Sequence, residues 1–143
     1  MGTTGRGKGR RGVYVAYAQG APVPHALVVD KAGSRTPVKI AGFHGFTEQL
    51  GGDTITADPR GRLLVVWFFG HGTKPALFVR RSNLAATRYG SVKKIPLPPG
   101  TTTVWKVYAN AQSGKLDILA LVTRKGNDSG AAYWHTQVAP PRG

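Results

Sequence analysis

The stretch "RLLVVWFFGHGTKPALFVRRSNLAATRYG", residues 62–90, holds two apolar runs followed by a tail of small and polar residues. The longer run, Leu63 to Phe69, is the length of a strand. It falls far short of the roughly 20 apolar residues that a membrane-spanning helix needs. No other apolar run is longer, so no membrane span is expected.

Both runs recur elsewhere at a fixed interval. "VYVAY" at Val13 precedes "LLVVW" at Leu63 by fifty positions, and "HALVV" at His25 precedes "PALFV" at Pro75 by the same fifty. A third copy follows. "SGKLDILAL" parallels "RGRLLVVWF" with Gly114 standing 53 after Gly61, and "AAYWHTQ" parallels "PALFVRR" with Ala132 standing 56 after Ala76. The three extra residues fall in "RKGNDSG", where a loop absorbs them.

Around these copies lie further runs rich in Val, Ile, Thr and aromatics: "PVKIAG", "DTITADP", "SVKKIPL" and "TTVWKVYAN". Turn signals such as "DPRG", "PLPPG" and "AQSGK" separate them. With 20 Gly and 10 Pro, the chain favours short strands over long helices. About fifty residues carrying up to four strands is the size of a propeller blade. The expected fold is therefore all-β: antiparallel β-propeller blades, a partial propeller of about three four-stranded repeats near 13–50, 51–100 and 101–143. The first repeat lacks its opening strand and the last its closing strand. Propellers close with four to eight blades. A shorter arc leaves blade faces uncovered, so self-association into a ring, continuation in a longer chain, or an open arc is expected.

Residues 1–12 are rich in Gly, Thr, Arg and Lys, with nothing to bury, and read as a flexible basic arm without the apolar core of a signal peptide. The formal net charge is +14, which favours anionic partners, yet the cations are spread: beyond Arg6–Arg11 they come as pairs such as Arg80–Arg81. Cysteine is absent, which excludes disulfides and thiolate metal sites. His25, His44, His71 and His135 show no metal-ligand spacing, and neither a metal nor another cofactor is expected.

The tail of the opening stretch carries a resemblance. "RSN…TRYG…V…PPG", then "GKLD" and "WHTQVAP", resemble the C-terminal blades of sialidase-like β-propeller proteins of actinobacterial type, over roughly Val13 to Pro140. That family's Asp-box turn, S-x-D-x-G-x-T-W/F, joins the third and fourth strands of a blade. Ser82 and Tyr89 match its ends, while Leu84, Ala86 and Arg88 replace its Asp, Gly and Thr. "GNDSGAAY" keeps Asp128, Gly130 and Tyr133 of the same pattern. The family's sialidases use three arginines, a Tyr–Glu pair and an acid/base Asp, and no residue here matches those by motif. The resemblance also implies an extracellular or cell-surface location.

The candidate site residues are correspondingly sparse. Asp30, Asp53, Asp58, Asp117 and Asp128 are expected at strand ends or turns, with Asp58 a turn former and Asp117 a structural hydrogen-bonding group. Glu48, the sole glutamate, and His44 lie in the irregular loop "AGFHGFTEQLGGD". Arg80 and Arg81 must point to opposite faces of their strand. On "TTVWKVYAN", alternation places Trp105, Val107 and Ala109 on one face and Lys106, Tyr108 and Asn110 on the other. The ligand-contact candidates are His44, Glu48, Arg81 and Tyr108. The functional expectation is a non-catalytic binding or structural module for carbohydrate or another anionic macromolecule. A glycosidase fragment with its catalytic groups in other blades and a nonspecific nucleic-acid binder are the alternatives.

Overall fold

The computed structural model describes residues 12–20, 23–44, 50–70, 74–126 and 130–143. They form ten strands: β1 (Tyr14–Gln19), β2 (Ala26–Lys31), β3 (Val38–Gly42), β4 (Leu50–Ala57), β5 (Leu63–Phe69), β6 (Ala76–Arg81), β7 (Lys93–Ile95), β8 (Thr101–Asn110), β9 (Leu116–Arg124) and β10 (Ala132–Val138). Each falls within one of the runs read as a strand or overlaps it, and no helix occurs among the described residues. All pairs are antiparallel. The sheets have the orders β1-β2-β3, β4-β5-β6-β7 and β8-β9-β10. The chain is thus all-β, with three successive sheets built from chain neighbours.

The middle sheet explains why the opening stretch is apolar at every position. Successive side chains on a strand face opposite ways. Leu63, Val65 and Trp67 enter a core shared with Tyr14, Ala16, Leu27, Val29 and Ile40 of the first sheet. Leu64, Val66 and Phe68 enter a second core with Val104, Leu116, Ile118 and Ala120 of the third. Both faces of β5 are therefore covered, and its six side chains from Leu63 to Phe68 are buried. Each such burial contributes roughly 1.5–3 kcal/mol. On the first-sheet side Trp67 stacks on Phe78 at 5.6 Å, and Phe69 meets Phe78 and Phe43 edge-on.

Among the described residues, the third sheet has one covered face. Leu116, Ile118, Ala120 and Val122 of β9 are buried against the middle sheet. Leu119, between them, is 39% exposed, and Tyr133 on β10, which pairs with Leu121, is 65% exposed.

β8 departs from simple alternation. Val104 pairs with Val122 and Lys106 with Leu121, so Trp105 is an extra, bulged residue. A bulge shifts the side-chain phase by one position. Val104 and Val107 consequently both point inward and are buried, whereas Trp105 turns outward and donates its indole N–H to Thr123 Oγ1 at 2.9 Å. Trp105 therefore does not share a face with Val107 as strict alternation required.

The turn after β6 is built from side-chain bonds to backbone. Ser82 pairs with Tyr89 across it. The Ser82 hydroxyl accepts from Leu63 N at 2.8 Å and donates to Asn83 O at 2.7 Å, so it replaces a ladder carbonyl beside β5. Asn83 Oδ1 accepts from Thr87 N at 3.0 Å and Arg88 N at 3.2 Å. Ala86 adopts φ +56°, the left-handed conformation that glycine tolerates more readily. The arrangement keeps a left-handed residue at the glycine position of the box-like pattern. The carbonyl acceptor comes from Asn83, one place before Leu84, which is exposed. Tyr89 packs against the first core.

Candidate functional site

A groove of about 480 Å³ runs between β4 and β8, the facing edges of the middle and third sheets. Its β4 wall is Gly51 to Thr54, its β8 wall is Trp105 to Tyr108, and Phe68 lies between them. The two glycines are what make the groove fit together. A Cβ on Gly51 would stand 2.5 Å from the Phe68 ring, and one on Gly52 3.0 Å. The ring thus lies directly on bare backbone. Gly51 also falls at a register shift in β4, an irregularity of the kind that bends a strand.

The β8 edge carries aromatic surface and a cation: Lys106 pairs with Leu121 and Tyr108 with Leu119, and Trp105 bonds Thr123, so these side chains turn toward the open face of the third sheet at the rim of the groove. Trp105 is 48% exposed and Tyr108 50%, with Lys106 between them in sequence. Exposed aromatic faces of this kind stack on flat apolar surfaces. Asp53 belongs to the β4 wall but pairs with Trp67, so its side chain shares the face turned toward the first sheet. There its Oδ2 is enclosed without a hydrogen-bond partner among the described residues, and burial pushes the carboxyl pKa up. Asp53 lies inside β4 rather than at a strand end, contrary to the sequence expectation.

The remaining candidates are dispersed. Arg81 lies beside Asp58 at the other end of β4, at 4.0 Å. Its neighbour Arg80 is committed to structure: its guanidinium donates to Ile40 O at 2.5 Å, Gly90 O at 2.6 Å and Tyr89 O at 2.8 Å. Those bonds tie the turn after β6 to β3. His44 is exposed just after β3. Glu48 and Asp128 lie outside the described residues. Gly130 takes φ +95° before β10, and Tyr133 lies within that strand. The structure thus brings Tyr108 to the rim of the groove, and neither Arg81 nor His44 lines it.

Two acids have structural partners. Asp58 Oδ1 accepts from Arg60 N at 3.0 Å and Arg62 N at 2.9 Å, which closes the β4–β5 turn. On the open face of the third sheet, Asp117 accepts from Gln137 Nε2 at 2.9 Å and meets His135 Nε2 at 3.3 Å. The Gln137 bond, reinforced by His135 and Ser113, holds the Asp117 carboxyl pKa below its usual value.

Sequence reasoning missed Trp105, because a bulge is a register feature that spacing within one strand does not reveal. The pair Gly51–Gly52 at the head of β4 was the available signal, since glycine inside a strand often marks a close approach.

Comparisons with protein-family models, with curated proteins and with solved structures found no match.

Proposed function

We propose that the chain is a non-catalytic arc of sialidase-like β-propeller blades whose β4–β8 groove binds a saccharide, outside the cell or at its surface. The observation that carries this reading is the pair of half-exposed aromatics, Trp105 and Tyr108, flanking Lys106 along the β8 edge of the groove. Sugar C–H faces pack on aromatic rings, and an ammonium group donates to hydroxyls or to a sugar carboxylate. Glycosidases generally place two carboxyl groups across the scissile bond. The groove's one carboxylate-bearing residue among the described residues, Asp53, has its side chain on the face shared with Trp67. Binding without turnover is the chemistry this supports.

A glycan array followed by calorimetry tests the reading. Tyr108→Ala and Trp105→Ala are each expected to weaken the selected glycan about tenfold, or ~1.4 kcal/mol. Unchanged affinity in both variants would remove the groove from the account, and hydrolysis of a fluorogenic sialoside would overturn the non-catalytic part. Preferential binding of single-stranded DNA, falling steeply with salt, would instead favour the basic surface as a nucleic-acid site.

A second reading, self-association, is favoured by the open face of the third sheet, where Leu119 and Tyr133 are exposed. The corresponding faces of the other two sheets, carrying Tyr14 and Ala16 or Leu64 and Val66, are covered by the sheet that follows. Light scattering is expected to give a mass above the 15.2 kDa of one chain. Leu119→Arg should restore the monomer, and a parent protein that stays monomeric at all concentrations ends this reading.

A further inference from the structure

The turn that closes β4 gathers more positive charge than it neutralises. Among the described residues, Asp58 is the one acid that acts on Arg81, while Arg62 and Arg60 repel it. The Asp58 carboxylate is already occupied: Oδ1 holds two backbone N–H groups, and Oδ2 stands 4.0 Å from Arg81 Nε. Among the described residues, Arg81 is the one guanidinium of the three that pairs with this carboxylate. Burial, then repulsion from Arg62, pushes the Arg81 pKa down.

The hydrogen-bond inventory shows the same deficit. Nε of Arg62 and Nε of Arg81 are both enclosed, and among the described residues neither has an acceptor. An enclosed donor left unmet costs roughly 1–3 kcal/mol, and more when it is charged. Strand phase puts the two side chains on one side of the sheet, because Arg81 pairs with Leu64, two residues after Arg62. Arg62 opens onto a hollow of about 430 Å³ with Ser82 to Ala85 and Gly143. Arg81 adjoins it: its Nε stands 3.7 Å from the position of a Cβ on Gly143.

We propose that this hollow is an oxyanion site that takes a phosphate or sulfate group between Arg62 and Arg81. The two donors come from separate side chains. A tetrahedral group with several acceptor oxygens meets both, whereas a planar carboxylate suits one guanidinium fork. The site lies beyond the end of β4 and shares no lining residue with the β4–β8 groove, so it stands whether or not the groove binds sugar.

The test uses the full chain at constant ionic strength. Inorganic phosphate and sulfate are expected to raise the melting temperature saturably and to shift the Arg62 and Arg81 Nε–H resonances. Chloride and acetate should do neither. Arg62→Gln should weaken binding at least tenfold, and Arg62→Lys should recover part of it through charge alone. Arg62 is the primary variant because it sits at the turn, half-exposed, and the Lys variant controls for folding. A sulfated oligosaccharide and a phosphate monoester, titrated in parallel, identify the source of the group. Tighter binding of either marks the end group of a larger ligand; equal binding marks the free ion. An equal response to chloride or acetate, or full phosphate and sulfate binding by Arg62→Gln, overturns the proposal.

Discussion

Leu64→Asp is expected to abolish cooperative folding, with a loss on the order of 4 kcal/mol or more. Leu64 is fully buried on the third-sheet side of β5, in the core that holds Val66, Leu77, Val104 and Ile118. A carboxylate there finds no partner, and an unpaired buried charge costs several kcal/mol. Against a typical total stability of about 5–15 kcal/mol, little remains. The introduced acid would escape part of the penalty by staying protonated, so its folded pKa rises above its unfolded value. Such a group leaves stability intact below the unfolded pKa, about 4, and removes it as pH rises. The variant should therefore unfold more readily at pH 7 than at pH 4. The informative control is Asp117→Leu. Asp117 stands 53 positions after Leu64, in the equivalent place on β9, but on the open face of the third sheet. That exchange should leave the urea midpoint close to that of the parent. Urea denaturation followed by near-UV dichroism reads both, and a Leu64→Asp protein that unfolds cooperatively near the parent midpoint would refute the two-core arrangement.

The contrast between Leu64 and Asp117 also marks what the sequence makes legible. The interval of fifty from Val13 to Leu63 reveals three similar units, because covered strand faces demand apolar residues at matching positions. Composition likewise separates β5, apolar throughout, from β9, where Asp117 interrupts the run. The cross-strand consequences are hidden. Trp105 turns outward because β8 carries one residue more than its partner across Val122 and Leu121, a fact of pairing and not of composition. Asp53 sits beside two glycines, which made it look like the end of a loop, whereas β4 continues through it from Leu50. The box-like turn was half visible. Ser82 and Tyr89 mark its ends, but the part played by Asn83 depends on its side chain reaching the Thr87 and Arg88 N–H groups. Arg62 gave no sign in the sequence, since its significance arises only where Arg81 and Asp58 converge on the same side of the sheet.

Gly70→Ala is expected to cost about 2–3 kcal/mol and to weaken ligand binding at the groove together with it. Gly70 directly follows β5, and a Cβ there would stand 2.6 Å from the carbonyl oxygen of Val104. That oxygen belongs to backbone, so no rotamer change relieves the overlap. The third sheet must retreat by several tenths of an ångström, and overpacking of this kind costs roughly 1–3 kcal/mol. Val104 immediately precedes the bulge at Trp105, so the retreat carries Trp105, Lys106 and Tyr108 away from Gly51 to Thr54. Gly52→Ala makes the decisive comparison. Its Cβ would meet only the Phe68 ring, at 3.0 Å, and a ring can tilt where a carbonyl in a strand cannot. Gly52→Ala should therefore cost less than Gly70→Ala in the urea midpoint, while altering the groove from its opposite wall. Equal destabilisation by the two would mean that β8 moves as freely as the ring. The groove would then be shaped by side chains and not by the close approach of two sheets.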